Sequence, residues 1–67
     1  MILKFIIKDI RKEQNLTLKQ LSYKTGISAT HLNNIENNYK MPSLIYAIII
    51  AKALKVKLNE LYVIERY

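Results

Sequence analysis

LKQLSYKTGISATHLNNIE, residues 18–36, contains the only glycine of this 67-residue chain. Gly26 lies between two short segments in which apolar residues recur at helical spacing. Glycine adopts a positive φ angle at little steric cost, so one helix can end there and another can begin in a new direction. Ser22 is small where two such helices would approach most closely. The stretch therefore predicts a helix-turn-helix with a shared apolar seam formed by Leu21, Ile27, Leu32 and Ile35.

The segments on either side also read as helices, because their β-branched residues fall at helical and not at alternating spacing. Asn15 is a plausible stop for the first helix, and TLKQ, residues 17–20, is a capping box that opens the second. On the fourth helix we expect Leu44, Ile48, Ala51 and Leu54 to face inward. The sequence predicts a single compact all-α domain of five helices, at roughly residues 3–14, 17–25, 28–37, 43–54 and 58–64.

Eleven Lys or Arg residues against five acidic residues give a net charge of +6. A positive field attracts polyanions, which makes nucleic acid the first candidate partner, and the alternative is that lysine only keeps an apolar domain soluble. There is no cysteine, which excludes disulfides and thiolate zinc sites and fits a reducing cytosol. The longest apolar run, residues 45–51, is short for a membrane span. We expect a cytoplasmic protein that binds no membrane.

The sequence contains no motif typical of catalysis or of cofactor binding. His31 is the only histidine and has no second metal ligand one turn away, and no phosphate-cradling glycine loop or paired acid and base is present. We therefore expect neither an enzyme, nor a metal or cofactor, nor a site for a small-molecule effector.

The order IRKEQNLTLKQLSYKTGISATHLNNIENN, PSL and AKAL resembles the phage-repressor and Cro type of helix-turn-helix, often called the XRE family, over about residues 3–62. The resemblance implies a lambda-repressor-like five-helix domain that binds double-stranded DNA as a dimeric transcriptional regulator, with the third helix in the major groove. It also implies a two-fold symmetric, palindromic operator.

The outward face of the third helix would then read the bases, through Ala29, Thr30, Asn33 and, more laterally, Asn34. Asn33 could make a paired contact to adenine, while Ala29 and the methyl group of Thr30 could pack against thymine methyl groups. This composition favours an A·T-leaning site. The alternative is that these side chains are ordinary solvated surface.

Phosphate contacts would set the register on the duplex. Positions that resemble the backbone contacts of the family lie at the starts of helices and in the loop before the fourth helix, where helix N-termini attract anions. We expect phosphate contacts from Thr17, Lys19, Ser28, His31, Asn37, Lys40 and Ser43.

Arg11 and Glu36 match two positions that form a partly buried ion pair in relatives, although two exposed charges that never meet are the alternative. The chain also departs from the family pattern. Leu18 stands where a glutamine commonly contacts DNA, and Lys55 stands where a glycine commonly ends the fourth helix.

Apolar residues exceed what a small five-helix domain needs to bury, and an exposed apolar patch commonly marks an interface. We expect a homodimer, with Ile45, Ile49, Tyr62 and Ile64 as interface candidates. In the alternative, the N-terminal residues fold over the fourth helix within one subunit. The rival function is a protein-interaction module, such as an antitoxin, that keeps the fold and binds a partner protein.

Overall fold

A computed structural model describes residues 2–66, within which four α-helices lie between two short strands. Strands β1 and β2 pair antiparallel, with Leu3 opposite Ile64 and Phe5 opposite Tyr62. A 3₁₀ turn, Leu58–Glu60, precedes the second strand. In chain order the elements are β1 Ile2–Phe5, α1 Ile7–Glu13, α2 Leu18–Thr25, α3 Ala29–Glu36, α4 Leu44–Ala53 and β2 Tyr62–Glu65.

The prediction of five helices is wrong at both ends of the chain. The first helix begins at Ile7 and not near residue 3, and the predicted fifth helix, 58–64, is a single 3₁₀ turn followed by β2. The strands form because the two ends of the domain meet. The rings of Phe5 and Tyr62 contact edge to face with centroids 6.0 Å apart, and Phe5 packs against the core.

The core contains the whole predicted seam of the helix-turn-helix. Its fully or nearly fully buried apolar residues are Ile7, Leu21, Ile27, Leu32, Ile35, Ala47, Ile50, Ala51, Leu54 and Leu61. On α4 the prediction is partly wrong, because Leu44 is 67% exposed and Ile48 is 38% exposed, while Ala47 and Ile50 are buried. The segment LIYAIIIAKA is apolar on every side, so helical periodicity alone could not choose the inward face.

Left-handed residues end the helices. Asn15 has φ 57°, as its suggested role as a stop requires, and Asn38 has φ 61°. Lys55, at the end of α4, has φ 58°. Its amide donates to the carbonyl of Lys52 at 3.1 Å, and the amide of Val56 donates to the carbonyl of Ala51 at 3.0 Å. The chain therefore uses at Lys55 the backbone geometry that a glycine would adopt without steric cost.

Lys55→Gly is expected to raise the free energy of unfolding by about 0.5–1 kcal/mol, because relief of the left-handed strain exceeds the added entropy of the unfolded chain. Lys52→Gly is the matched control and is expected to lower it by a similar amount, because Lys52 lies inside α4. Urea unfolding followed by circular dichroism measures both. Equal destabilisation by the two variants would contradict the strain at Lys55.

Candidate nucleic-acid interface

Side chains as well as Gly26 fix the turn between α2 and α3. Gly26 ends α2 with φ 74°, and a Cβ built there would meet nothing within 4 Å, so the position needs glycine for its backbone angle and not for space. The hydroxyl of Ser22 donates to the carbonyl of Ile27 at 2.6 Å. The hydroxyl of Thr25 donates to the carbonyl of Leu21 at 2.9 Å and accepts from the amide of Ile27 at 3.2 Å. These bonds set the direction in which α3 leaves the turn.

Sequence reasoning missed Thr25. A threonine hydroxyl at the end of a helix can donate to the carbonyl four residues earlier. The position of Thr25, directly before Gly26 and four residues after Leu21, could have indicated this role.

The two sides of α3 differ sharply. Leu32 and Ile35 are buried against the core. Three of the four predicted base-contacting residues, Ala29, Thr30 and Asn33, are exposed, and Asn34 is half-buried. The helix thus presents a narrow outer row of two small side chains and one amide, with no bulky group to hold it away from a partner.

Asn33 is held in place by Asn37, one turn later on the same face. The amide nitrogen Nδ2 of Asn37 donates to the side-chain oxygen Oδ1 of Asn33 at 3.1 Å and to its carbonyl at 2.9 Å. The Oδ1 atom has a second lone pair and the Nδ2 group of Asn33 has two protons, so both remain available for an adenine edge. The sequence predicted a phosphate contact for Asn37, and the structure shows that this side chain also supports Asn33.

Asn34 joins α3 to the following loop. Its carbonyl accepts from the amides of Tyr39, at 2.9 Å, and Lys40, at 3.3 Å. This arrangement keeps Lys40 exposed at the end of α3. Asn34 therefore has a role in the loop, in addition to the lateral base contact that the sequence suggested.

Capping side chains organise the N-termini of α2, α3 and α4. Thr17 accepts from the amide of Gln20 at 3.0 Å, Ser28 from that of His31 at 3.1 Å, and Ser43 from that of Tyr46 at 3.1 Å. Each hydroxyl still has its own proton to donate, and each helix start carries partial positive charge. All three capping residues are exposed, so they can meet anionic oxygens.

At the departure from the family pattern, Leu18 packs against the core and is half-buried. The Oε1 atom of Gln20 accepts from the amide of Thr17 at 2.8 Å, and its Nε2 group has two protons that can still be donated. Lys19 is exposed at the same helix start. Leu18 therefore packs against the core at the position where relatives commonly place a glutamine that contacts DNA.

His31, for which the sequence predicted a phosphate contact, lies beside an aromatic ring of α4. Its ring is half-buried and meets the ring of Tyr46 edge to face, with centroids 5.4 Å apart. The pair connects the start of α3 to the first turn of α4. His31 thus helps to set the distance between two helix N-termini.

Arg11 and Glu36 form an ion pair that connects α1 to the last residue of α3. Arg11 donates from Nε and Nη2 to the two carboxylate oxygens of Glu36, at 2.7 and 3.0 Å, and from Nη1 to the carbonyl of Leu16 at 2.8 Å. Each residue is only 8% exposed. The hydrogen bonding that Arg11 donates to Glu36 is the main cause that raises the pKa of Arg11, so the guanidinium stays charged. It positions the C-terminal end of α3.

Two of the four candidate interface residues are well exposed. Ile45 is 68% exposed and Ile64 is 52% exposed, whereas Ile49 and Tyr62 are half-buried within the chain. An open apolar groove of about 360 Å³ lies near the first turn of α4, lined among others by Leu3, Phe5, Met41, Leu44, Leu58 and Tyr62. The N-terminal residues form β1, and Leu3 and Phe5 of this strand line the groove together with Leu44 and Ala47 of α4.

Within residues 2–66 no group of three or more His, Cys, Asp or Glu side chains is placed to hold a metal ion. Over the same range, none of the helices is both long enough and apolar enough to cross a membrane.

Three solved structures are similar to this chain in fold. C.Esp1396I, a wild-type restriction-modification controller protein, is 31% identical and has a TM-score of 0.74, over 82% of this chain and 75% of that one. The controller protein C.AhdI from Aeromonas hydrophila is 20% identical with a TM-score of 0.78, over 81% and 82%. A putative DNA-binding protein from Bacteroides fragilis is 24% identical with a TM-score of 0.85, over 92% and 100%. The last two likenesses show the fold alone.

No curated protein sequence matches the chain. The family model HTH_3, described as helix-turn-helix, matches residues 7–61, which include all four helices and leave out both strands. The match covers most of the chain and agrees with the Gly26 turn, the capped helix starts and the buried seam. The chain therefore belongs to the HTH_3 helix-turn-helix family, as its sequence resemblance to XRE-type proteins indicates.

Proposed function

We propose that this protein is a transcriptional regulator that binds double-stranded DNA as a homodimer on a palindromic operator and acts as a repressor. The observation that carries the proposal is the outer row of α3, in which Ala29, Thr30 and Asn33 are exposed while Asn37 orients Asn33. A helix in the major groove reads base edges with such short side chains. The structural neighbour C.Esp1396I, at 31% identity, is a restriction-modification controller protein, which supports a regulatory role.

The charge distribution supports a nucleic-acid partner. The five acidic residues are Asp9, Glu13, Glu36, Glu60 and Glu65, so residues 14–59 contain only Glu36. Because Arg11 pairs with that carboxylate, the segment from α2 to α4 presents no unpaired acidic side chain. Lys19, Lys24 and Lys40 are exposed on it. A phosphate backbone would therefore meet positive charge without local repulsion.

In this proposal the phosphate contacts come from residues on either side of the outer row of α3. Thr17, Ser28 and Ser43 donate from their hydroxyl groups beside exposed helix N-termini, and Lys19 and Lys40 supply full charge. His31 and Asn37 are also proposed to contact phosphate, in addition to positioning their neighbours. With Asn33 on adenine and the Thr30 methyl group on thymine, the operator is expected to be rich in A·T pairs. The protein would act in the cytoplasm, at the nucleoid.

Affinity for duplex DNA is expected to fall steeply with salt, because each neutralised phosphate releases counterions. If about six phosphates are contacted, the association constant should fall about 10³-fold between 50 and 200 mM salt. Fluorescence anisotropy of a labelled duplex, selected from random sequence, measures this slope. A control titration with Lys40→Ala should show a shallower slope by about one unit. Binding that is absent at 50 mM salt, or indifferent to salt, would contradict the proposal.

A protein-interaction module is the second candidate, and one observation favours it. Met41, Leu44 and Ile45 expose apolar side chains next to the predicted DNA-facing loop. Such a patch commonly binds protein. The anisotropy experiment separates the two, because a pure interaction module would not discriminate among duplex sequences.

A further inference from the structure

The two-stranded sheet has main-chain groups with no partner along both outer edges. The amide of Ile6 donates to the carbonyl of Leu61 at 2.8 Å, and the strand register continues this pairing outward. In an antiparallel ladder, hydrogen-bonded pairs alternate with pairs that point away. Lys4 and Val63 therefore bond to each other, while Tyr62 and Ile64 direct their amides and carbonyls away from β1. Among the described residues, no other hydrogen bond uses the main chain of Tyr62 or Ile64.

A sheet of only two strands lacks neighbouring strands that would stabilise it. Two strands alone are marginally stable, and three or more with an apolar face are needed for independent stability. One face of this sheet is apolar, because Leu3 lies opposite Ile64 and Phe5 opposite Tyr62. Neither strand contains a proline to block its edge. The sheet also lies outside residues 7–61, which the family model matches.

We propose that β2 pairs antiparallel with β2 of a second copy across a two-fold axis at Val63, which makes one four-stranded sheet. In this register Tyr62 bonds to the partner's Ile64 and Ile64 to the partner's Tyr62, through the outward main-chain groups. The register also brings Val63 opposite the partner's Val63. The inference rests on the proposed function for its dimer and names the surface that forms it.

Charge selects this edge over the other one. The same kind of pairing between two β1 strands, in the register with the greatest overlap, would place Lys4 opposite the partner's Lys4, which is destabilising. Pairing of β1 with β2 of another copy would leave one β1 edge and one β2 edge open, so the same contact could repeat and copies could assemble without limit. Pairing of β2 with itself closes the assembly with an apolar pair at its centre.

The proposal is tested by Val63→Glu, which has opposite effects within and between subunits. Within one chain it places a carboxylate opposite Lys4, which is favourable, and across the two-fold axis it places two carboxylates opposite each other. Sedimentation equilibrium of the full chain is expected to show a dimer for the unmodified protein and a rise of about tenfold or more in its dissociation constant for V63E. Lys4→Glu combined with Val63→Lys reverses both charges, and it should weaken the dimer similarly.

A mixture of V63E with the K4E/V63K double variant should restore dimerisation, because opposite charges then meet at the two-fold axis. A chain that stays monomeric at high micromolar concentration, a V63E variant that dimerises as well as the unmodified chain, or a mixture that fails to recover would each overturn the proposal. Ile64→Pro, which removes an outward amide, should also weaken the dimer more than Ile64→Ala.

Binding of V63E to a duplex with one half-site separates this inference from the proposed function. Half-site affinity that persists in a monomeric V63E keeps the DNA-binding function, whatever the sedimentation results show for the strand. Restored dimerisation in the mixture, without DNA binding by any variant, would support the strand pairing and end the proposed function.

Discussion

Replacing Glu36 with alanine is expected to lower the free energy of unfolding by about 3–5 kcal/mol, the largest effect of any single substitution considered for this chain. The substitution leaves the guanidinium of Arg11 buried at 8% exposure and without its carboxylate partner. A domain of this length has a total stability of roughly 3–10 kcal/mol. Glu36→Ala should therefore be partly or largely unfolded at room temperature, which circular dichroism and urea titration measure.

The double variant Arg11→Met with Glu36→Leu separates loss of the pair from exposure of a lone charge. Replacement of a buried pair by apolar residues of similar volume is often neutral or stabilising, so the double variant should recover most of the lost stability. If Glu36→Ala instead costs less than about 1 kcal/mol, the pair is not what holds α1 to the end of α3.

Asn33→Ala is expected to weaken binding to a selected operator by about 10- to 100-fold, because a paired amide contact to adenine contributes about 1–3 kcal/mol of discrimination. Affinity for non-specific duplex should stay nearly constant, since phosphate contacts dominate there. Stability should change little, because Asn33 is exposed. Anisotropy with the selected and a scrambled duplex measures both affinities.

Asn37→Ala tests whether the support that Asn37 gives to Asn33 matters for DNA binding. It removes the amide that donates to Asn33 Oδ1 while leaving Asn33 in place. We expect an intermediate loss of operator affinity and no new base preference. An equal loss on selected and scrambled DNA in the Asn33 variant would mean that this side chain does not read a base.

Local chemistry made the helix-turn-helix predictable. Gly26, the Thr17–Gln20 capping box and the buried seam all require only residues close together in sequence, and the structure confirms their geometry. The Arg11–Glu36 pair spans 25 residues, so only the resemblance to a family could suggest it.

The strands and the orientation of α4 could not be predicted from the same signals. Four-residue segments such as ILKF and YVIE carry too few positions for periodicity to separate strand from helix, and their pairing joins opposite ends of the chain. The inward face of α4 depends on neighbours, since every side of LIYAIIIAKA is apolar. The half-buried placements of Leu18 and His31 likewise depend on helix packing that no local pattern encodes.

The central claim, that the outer row of α3 meets DNA, is tested most directly by titrating the isotopically labelled protein with a selected duplex and following amide chemical shifts. The account predicts the largest changes in residues 28–37 and at the starts of α2 and α4, around Lys19 and Ser43. Little change is expected on the face of β1 and β2 that carries Lys4. Changes concentrated on the groove near Leu44 and Leu58, with Thr30 and Asn33 unmoved, would contradict it.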